Sequence, residues 1–210
     1  MKVLLVNGSP HVHGCTYTAL EEVSKTLQAE GIETEIFHIG MKPLSGCIAC
    51  RKCAELGHCV FHDSVNEFLE LAKNADGFIF GTPVHFASAG GAVTSFMDRV
   101  FYSDLCSRNQ SFYLKPAASV ISARRGGTTA TFDQLNKYYT IMEMPIISSQ
   151  YWNMVHGNSP DEVKKDLEGL QIMRTLGRNM AWFLKCKEAG IHAGVPFPER
   201  EKKIGTNFIR

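Results

Sequence analysis

Short apolar runs separated by helix-like stretches constrain the fold of this chain most strongly. Residues 2–7, 77–81 and 117–122 show almost no alternation of polar and apolar side chains, as is typical of strands buried on both faces of a parallel sheet. Between these runs, apolar residues recur at helical spacing, for example over residues 16–29. Strands that alternate with helices predict an α/β domain, a doubly wound parallel sheet with helices on both faces.

The same patterns predict the order of the elements along the chain. Ser64 and Glu67 have the spacing of a capping box, which predicts a helix beginning there. We expect a domain over residues 1–190, a cysteine-rich insertion at 43–62 and a C-terminal tail over 191–210. The pattern predicts five strands at residues 2–7, 33–39, 77–81, 117–122 and 145–148, and further helices at 16–29, 92–105, 129–142 and 160–187.

Length and charge exclude several classes of protein. The chain has 210 residues and a formal net charge of +1, so one large domain is expected. Because no long basic run is present, neither nucleic acid nor an anionic membrane is expected as a partner. The first apolar run is too short for a signal peptide or a membrane span. These features predict a cytoplasmic protein.

The loop after the first strand has the composition of a phosphate site. It holds Gly8, Ser9, Gly14 and Thr16 and leads into a predicted helix, whose first N–H groups and dipole attract anions. The loop matches neither the G-x-G-x-x-G pattern nor the P-loop lysine pattern. A phosphate site and an ordinary strand–helix turn are both compatible with this pattern.

Two further loops leave the carboxyl ends of predicted strands, where open α/β sheets bind their ligands. In one, aromatic and small residues suit a flat ring bonded at its edges by backbone groups. In the other, arginines next to glycines suit a reduced, anionic ring or the phosphate of a nucleotide. An ordinary apolar turn in the first of these loops and simply solvated arginines in the second are the alternatives. The candidate residues of these loops are Thr82, Pro83, Val84, His85 and Phe86, and Ser122, Arg124 and Gly126.

Several motifs together are similar to those of one known family. Gly8-Ser-Pro10 with Thr16, Thr82-Pro-Val-His-Phe86, Phe96-Met-Asp-Arg99 and Tyr151-Trp-Asn153 resemble the NADPH-dependent FMN reductase branch of the flavodoxin-like proteins. The resemblance implies a flavodoxin-like fold that binds FMN, with the phosphate in the Ser9–Thr16 loop and the ring against the loop from Thr82 to Phe86. Where typical members carry arginine and asparagine in the first loop, this chain has His11 and Cys15. Where relatives often have tyrosine in the second loop, it has His85.

Four of the seven cysteines, Cys47, Cys50, Cys53 and Cys59, lie in one short segment. Steps of three residues allow successive thiolates to surround an iron–sulfur cluster, as in bacterial ferredoxins. The same residues, with Cys59 or His58 as the fourth ligand, are also compatible with zinc, and vacant thiols are a third alternative. The segment resembles the compact motif of iron–sulfur flavoproteins, which implies a [4Fe–4S] cluster near the FMN of a neighbouring subunit.

Three functions stay open on the sequence alone. The first is an FMN-dependent oxidoreductase that takes a hydride from NAD(P)H and reduces a flavin, a quinone or another small acceptor. The second is an iron–sulfur flavoprotein that receives electrons from a ferredoxin-like partner. The third is a non-catalytic module that binds a phosphate-bearing ligand and holds zinc. The resemblance also implies a homodimer or homotetramer.

Smaller expectations concern individual side chains. Asp98 and Arg99 are expected to form an ion pair within a helix. Tyr151 and Trp152 follow a predicted strand, where large aromatic residues are expected to pack in the core, with a wall of the site or of an interface as the alternative.

Overall fold

A computed structural model describes residues 1–202, 204–206 and 208 of the chain. Strands and helices alternate through most of its length. The strands are β1 (Lys2–Asn7), β2 (Glu33–His38), β3 (Gly77–His85), β4 (Ser88–Ala89), β5 (Ala117–Ala123) and β6 (Met154–His156), and the helices are α1 (Cys15–Ala29), α2 (Cys53–Leu56), α3 (Ser64–Ala72), α4 (Gly91–Ser107), α5 (Thr128–Ile141), α6 (Pro160–Val163) and α7 (Leu167–His192).

Five of the strands form a parallel sheet in the order β2-β1-β3-β5-β6. The sixth, β4, pairs antiparallel with the end of β3 and forms a hairpin with it. Counting only the parallel strands, this is the doubly wound order in which the chain reverses direction between β1 and β3. The carboxyl ends of those two strands therefore define the edge at which a ligand is expected.

Each face of the sheet carries its own hydrophobic core, because successive side chains of a strand point to opposite faces. In β1, Leu4 and Val6 face a core built with α3, α4 and α5. Val3 and Leu5 face a second core built with α1 and α7. The predicted doubly wound arrangement is confirmed.

Two strand predictions differ from the structure. The prediction of a fifth strand at 145–148 is wrong: Ile146 makes only an isolated bridge to Ala117, and the regular pairing with β5 is made by β6. The apolar run predicts that the third strand ends at residue 81, yet β3 continues through Pro83 to His85. Proline is tolerated there because β1 ends opposite Gly81, so one side of β3 has no neighbouring strand beyond that point.

Two helix predictions also need correction. Asp63, rather than Ser64, caps α3, since its carboxylate accepts a hydrogen bond from the Val65 N–H at 3.2 Å. The predicted helix over 160–187 is divided into α6 and α7, because Asp166 caps a new helix by accepting from the Gly169 N–H at 2.9 Å. The predicted boundary at residue 190 falls inside α7, and the division into domain and tail stays a prediction.

In the part of the chain that the structure describes, every helix is too short or too polar to cross a lipid bilayer.

Candidate functional site

The loop after β1 is shaped by a buried asparagine that the sequence analysis did not single out. Asn7 is fully buried, and its side-chain amide donates to the carbonyl oxygens of His11 and Val12 at 3.3 and 3.0 Å. Its oxygen accepts from the Ser9 N–H at 3.1 Å, and the Ser9 hydroxyl accepts from the His11 N–H at 3.1 Å. The backbone conformation of this closed turn is therefore fixed by hydrogen bonds from the side chains of Asn7 and Ser9.

This turn delivers the chain to the N-terminus of α1, which has no side-chain cap. Gly14 stands at the N-cap position in an extended conformation, and no acidic residue lies in the first turn. The first N–H groups of a helix lack partners within the helix, so here they remain available to an anion. A cleft of about 450 Å³ opens beside them, lined by Pro10, His11, Val12, His13, Gly14, Cys15, Met41, Asn158 and Pro160.

The second predicted loop is a tight β3–β4 hairpin. Phe86 and Ala87 form its tip with φ angles of 50° and 60°, in the left-handed region that favours glycine or asparagine. The Phe86 side chain is fully exposed. Gln134 of α5 holds the return strand, since its side-chain oxygen accepts from the Ser88 hydroxyl at 2.7 Å and from the Ala89 N–H at 3.1 Å.

The three predicted segments contact one another at the carboxyl edge of the sheet. The Gly8 N–H donates to the Gly81 carbonyl at 2.8 Å, which joins the first segment to the second. The hydroxyls of Thr16 and Ser122 lie 2.8 Å apart, which joins the first to the third. A Cβ at Gly127 would approach the Ala87 Cα to 2.7 Å, so the second and third segments are also packed together.

The predicted ligand residues divide into a buried base and an exposed rim. The base of the predicted site consists of four buried polar residues, Ser9, Thr16, Thr82 and Ser122. Pro83 and Val84 are half-buried, and Cys15 is half-buried with its thiol donating to the Gly157 carbonyl at 3.6 Å. Burial raises the pKa of Cys15. The exposed rim consists of His11, His85, Phe86, Arg124 and Gly126.

The cysteine segment packs along α4. Cys47 and Cys50 are exposed, Cys59 is half-buried, and Cys53 is buried at the start of α2. All four line one small cavity of about 20 Å³. Burial, followed by a hydrogen bond with Cys106 of α4, raises the pKa of Cys53 to about 11.

The backbone of this segment has a feature known from anion and cluster sites. Arg51 is left-handed with a φ of 58°, and the next residue, Lys52, is right-handed helical. Such successions turn backbone N–H groups into a concavity that binds phosphates or iron–sulfur clusters. Across residues 1–202, 204–206 and 208, no three His, Cys, Asp or Glu side chains lie close enough to share one metal ion. The four thiols that border the cavity are of the kind that hold both iron–sulfur clusters and tetrahedral zinc.

Two smaller predictions are wrong. Asp98 and Arg99 do not pair with each other: Asp98 accepts from the Tyr138 hydroxyl, and Arg99 pairs with Asp63. Neighbouring residues on a helix point in different directions, which explains the difference. Tyr151 and Trp152 are about half exposed, at 54% and 48%, rather than packed in the core.

Comparison with known proteins identifies the family of this chain. The family model described as NADPH-dependent FMN reductase matches residues 1–159. The chain belongs to that family. An iron–sulfur flavoprotein of Methanocaldococcus jannaschii is 33% identical over 88% of this chain and 98% of that protein. An FMN reductase (NADPH) of Pseudomonas putida is 31% identical, over 48% of this chain and 46% of its own.

Solved structures with low sequence identity share the fold. RosB with the bound intermediate 8-demethyl-8-formylriboflavin-5'-phosphate superposes with a TM-score of 0.69 at 14% identity, covering 100% of this chain and 94% of its own. A flavodoxin from the domain Archaea gives 0.58 at 14% identity, covering 88% and 99%. The predicted flavodoxin-like fold is confirmed. As a member of the reductase family, the protein is an FMN-dependent oxidoreductase that uses a nicotinamide nucleotide.

Proposed function

We propose that FMN binds at the carboxyl edge of β1 and β3 with its phosphate in the cleft beside α1, and that the protein there reduces a small acceptor at the expense of NAD(P)H. The uncapped N-terminus of α1 at Gly14 carries this proposal, because it leaves backbone N–H donors beside the cleft. When bound, FMN supplies the hydride and electron chemistry. A flavin, a quinone or a similar compound is the expected class of acceptor.

The chain's own residues bind and orient the cofactor. The turn closed by Asn7 and Ser9 holds the α1 amides in place for the phosphate. We assign the flavin ring to the hairpin from Thr82 to Phe86, which lies at the carboxyl end of β3. Arg124, exposed at the end of β5, supplies a positive charge near the same edge. Such a charge favours a reduced, anionic ring or a nucleotide phosphate.

Comparison of FMN with riboflavin tests the phosphate site. Gly14→Asp places a carboxylate at the N-cap, where it accepts the free N–H groups and repels phosphate. Gly14→Ala adds the same Cβ, which would lie 2.9 Å from the His11 Cβ, but neither charge nor cap. We expect Gly14→Asp to lose roughly tenfold or more in FMN affinity, since each charge-assisted hydrogen bond contributes about 1.5–3 kcal/mol.

Fluorescence titrations of apoprotein with each flavin give the affinities. Gly14→Ala should bind FMN nearly as the natural chain does, and riboflavin should bind all three proteins alike. Equal FMN affinities for Gly14→Asp and Gly14→Ala would place the phosphate elsewhere. Anaerobic oxidation of NADH and NADPH by the FMN-loaded protein, with a quinone or free flavin added, tests the reaction. No oxidation with either nucleotide would contradict the reductase proposal.

A specific observation favours a second cofactor in the cysteine segment. Cys47, Cys50, Cys53 and Cys59 border one cavity, next to a backbone conformation found at iron–sulfur sites. We propose that these thiols hold a [4Fe–4S] cluster that receives electrons from a ferredoxin-like partner. The relative from Methanocaldococcus jannaschii supports this proposal, since it is named an iron–sulfur flavoprotein.

Iron and sulfide assays after anaerobic reconstitution test the cluster. Cys50→Ser should abolish iron binding and the rapid reduction by ferredoxin, while FMN binding is kept. Cys186→Ser is the matched control, because Cys186 is an exposed cysteine on α7 outside the segment. Equal iron in both variants would contradict the ligand assignment. Zinc in place of iron would favour the binding-module alternative.

The proposal includes a homodimer or homotetramer located in the cytoplasm. FMN in an open cleft leaves part of the ring uncovered, and a second copy is able to cover it. Sedimentation or size-exclusion measurements at micromolar concentration check the assembly, and a monomer would contradict it.

A further inference from the structure

A buried arginine lies against one of the four cysteines. Arg99 of α4 is only 1% exposed. Its Nη1 and Nη2 atoms reach the two carboxylate oxygens of Asp63 at 2.7 and 2.9 Å. A charge of this kind is costly to bury unless it is paired with good geometry, and this bidentate contact supplies the pairing.

The second edge of the same guanidinium faces sulfur. Nε and Nη2 of Arg99 each lie 3.3 Å from the Sγ of Cys59. The Phe61 ring packs on the guanidinium, with its centroid 4.8 Å from Cζ, and Nη1 also donates to the Ser45 carbonyl at 3.4 Å. The planar group is thus fixed from several sides, with one edge on the carboxylate and the adjacent edge on the thiol.

This contact distinguishes Cys59 from the other three cysteines. Among the residues described by the structure, no guanidinium or ammonium group donates to the sulfur of Cys47, Cys50 or Cys53. Hydrogen bonds to the sulfurs and nearby charge set the reduction potential of an iron–sulfur cluster. Two N–H donors and a fixed positive charge favour the reduced state, which carries the greater negative charge.

We propose that Arg99 is a positioning residue that fixes the Cys59 sulfur and raises the reduction potential of the cluster, with Asp63 acting in the opposite sense. The inference rests on the cluster proposed above. Arg99 contacts Cys59, a proposed ligand of the cluster, and acts on the cluster through that residue. Its effect should therefore appear in the reduction potential of the cluster and in the amount of iron that the protein retains.

Two substitutions should move the potential in opposite directions. Arg99→Gln removes the positive charge and weakens the donors to sulfur, so the potential should fall. Asp63→Asn keeps Arg99 and removes the opposing negative charge, so the potential should rise. Asparagine caps helices as well as aspartate, so α3 keeps its N-cap. We expect each change to alter the equilibrium constant for reduction about tenfold, which is 59 mV for a one-electron couple.

Redox titrations followed by electron paramagnetic resonance on the full-length, cluster-loaded protein give the potentials. Arg99→Lys keeps the charge without the planar fork and should fall between the natural protein and Arg99→Gln. Lys52→Gln is the control, because Lys52 is an exposed cation of the same segment whose charge is screened by solvent. If Arg99→Gln fails to retain iron, Arg99→Lys and Asp63→Asn still report the two directions.

The outcomes separate this inference from the proposal that it rests on. Natural protein that binds no iron after reconstitution would overturn the cluster and the role of Arg99 together. Loaded protein whose potential is unchanged in the Arg99 and Asp63 variants would overturn this inference alone. Shifts in the same direction for both variants would indicate a merely structural role, because loosening of the segment does not depend on the sign of the charge removed.

Discussion

At the scale of single residues, the ligand edge depends on glycines that allow close backbone approach. A Cβ at Gly8 would lie 2.7 Å from Val93 Cγ2 and 2.8 Å from the Gly81 carbonyl oxygen. The second of these is a backbone atom that cannot rotate away. The Gly8 N–H donates to that same carbonyl, so any displacement also disturbs the link between β1 and β3.

Gly8→Ala is therefore expected to destabilise the protein by about 1–3 kcal/mol, the usual cost of overpacking. Chemical unfolding monitored by far-UV circular dichroism measures the change. Gly91→Ala is the control, because a Cβ there meets no atom within 4 Å and should leave the free energy of unfolding almost unchanged. Equal stabilities for the two variants would show that the backbone at Gly8 yields freely.

Asp104 should make stability depend on pH. Burial, which outweighs the hydrogen bonds from Ser111, raises the pKa of Asp104. The folded protein thus holds this proton more tightly than the unfolded chain, whose carboxyl has a pKa of about 3.9. The stability contributed by the protonated group is present below that value and is lost as the pH rises through the folded pKa.

Asp104→Asn removes this titration and keeps an oxygen for the Ser111 N–H, which Asp104 accepts at 3.0 Å. We expect the variant to be more stable than the natural protein at neutral pH, and the difference to disappear under acid conditions. Urea unfolding from acid to neutral pH measures the difference in the free energy of unfolding between the two proteins. A difference that stays constant with pH would mean that packing, rather than ionisation, separates the two proteins.

The role of a residue can be predicted from the sequence where it depends on neighbouring positions in the chain. Ser9 and Thr16 can be selected because they flank a strand–helix junction. The partner of Arg99 cannot, since Asp63 is 36 positions away and reaches it only through packing of the cysteine segment. Adjacent Asp98 is the nearest opposite charge in sequence, and sequence distance is a poor guide to contact.

At the scale of elements, the β3–β4 hairpin stores strain at its tip. Phe86 and Ala87 are both left-handed, which costs about 1–2 kcal/mol for each residue other than glycine. Ala87→Gly should therefore stabilise the protein by up to about 1 kcal/mol, the strain relieved being partly offset by the greater entropy of the unfolded chain. FMN affinity should be retained, because this change removes only one methyl group from the exposed tip.

Phe86→Asn tests the aromatic side chain of Phe86 independently of the backbone conformation of the turn. Asparagine tolerates the left-handed conformation, so stability should not fall, while loss of the exposed aromatic ring should weaken FMN binding at the proposed site. Thermal unfolding measures the stability of both hairpin variants, and flavin titration measures their affinity for FMN. Unchanged FMN affinity in Phe86→Asn would exclude contact between this ring and the flavin.

Element order is predictable, whereas some element ends are not. Continuous apolar runs locate β1 and β5 because both are covered on two faces. Residues 145–148 and 154–156 are both compatible with an edge strand, and only pairing with β5 chooses between them. The break between α6 and α7 is hidden because Val163, Leu167 and Leu170 continue the apolar spacing across it.

At the scale of the whole molecule, the two proposed cofactor sites lie at different positions along the axis of α4. This helix begins with Gly91 at the ligand edge of the sheet. Arg99, which contacts Cys59, follows eight residues later, and at 1.5 Å per residue this is about 12 Å along the axis. The cysteine cavity also lies on the side of α4 that carries Arg99 and Tyr102 and packs against α2. Within one chain, the contact between Arg99 and Cys59 therefore lies about two turns of α4 from the ligand edge.

Mixed oligomers test whether electrons pass from one copy of the chain to another. Subunits with Cys50→Ser lack the proposed cluster, and subunits with Gly14→Asp stay largely without FMN when FMN is supplied below their weakened dissociation constant. Alone, each should show almost no FMN reduction by ferredoxin. Co-purified mixed oligomers should reduce FMN well above either parent, because the cluster of one subunit serves the flavin of its neighbour. Two Cys50→Ser preparations mixed in the same way control for reassembly. Mixed oligomers as slow as their parents would mean that electrons pass within a single chain, and the separation along α4 would then have to be bridged by the loops of that same chain.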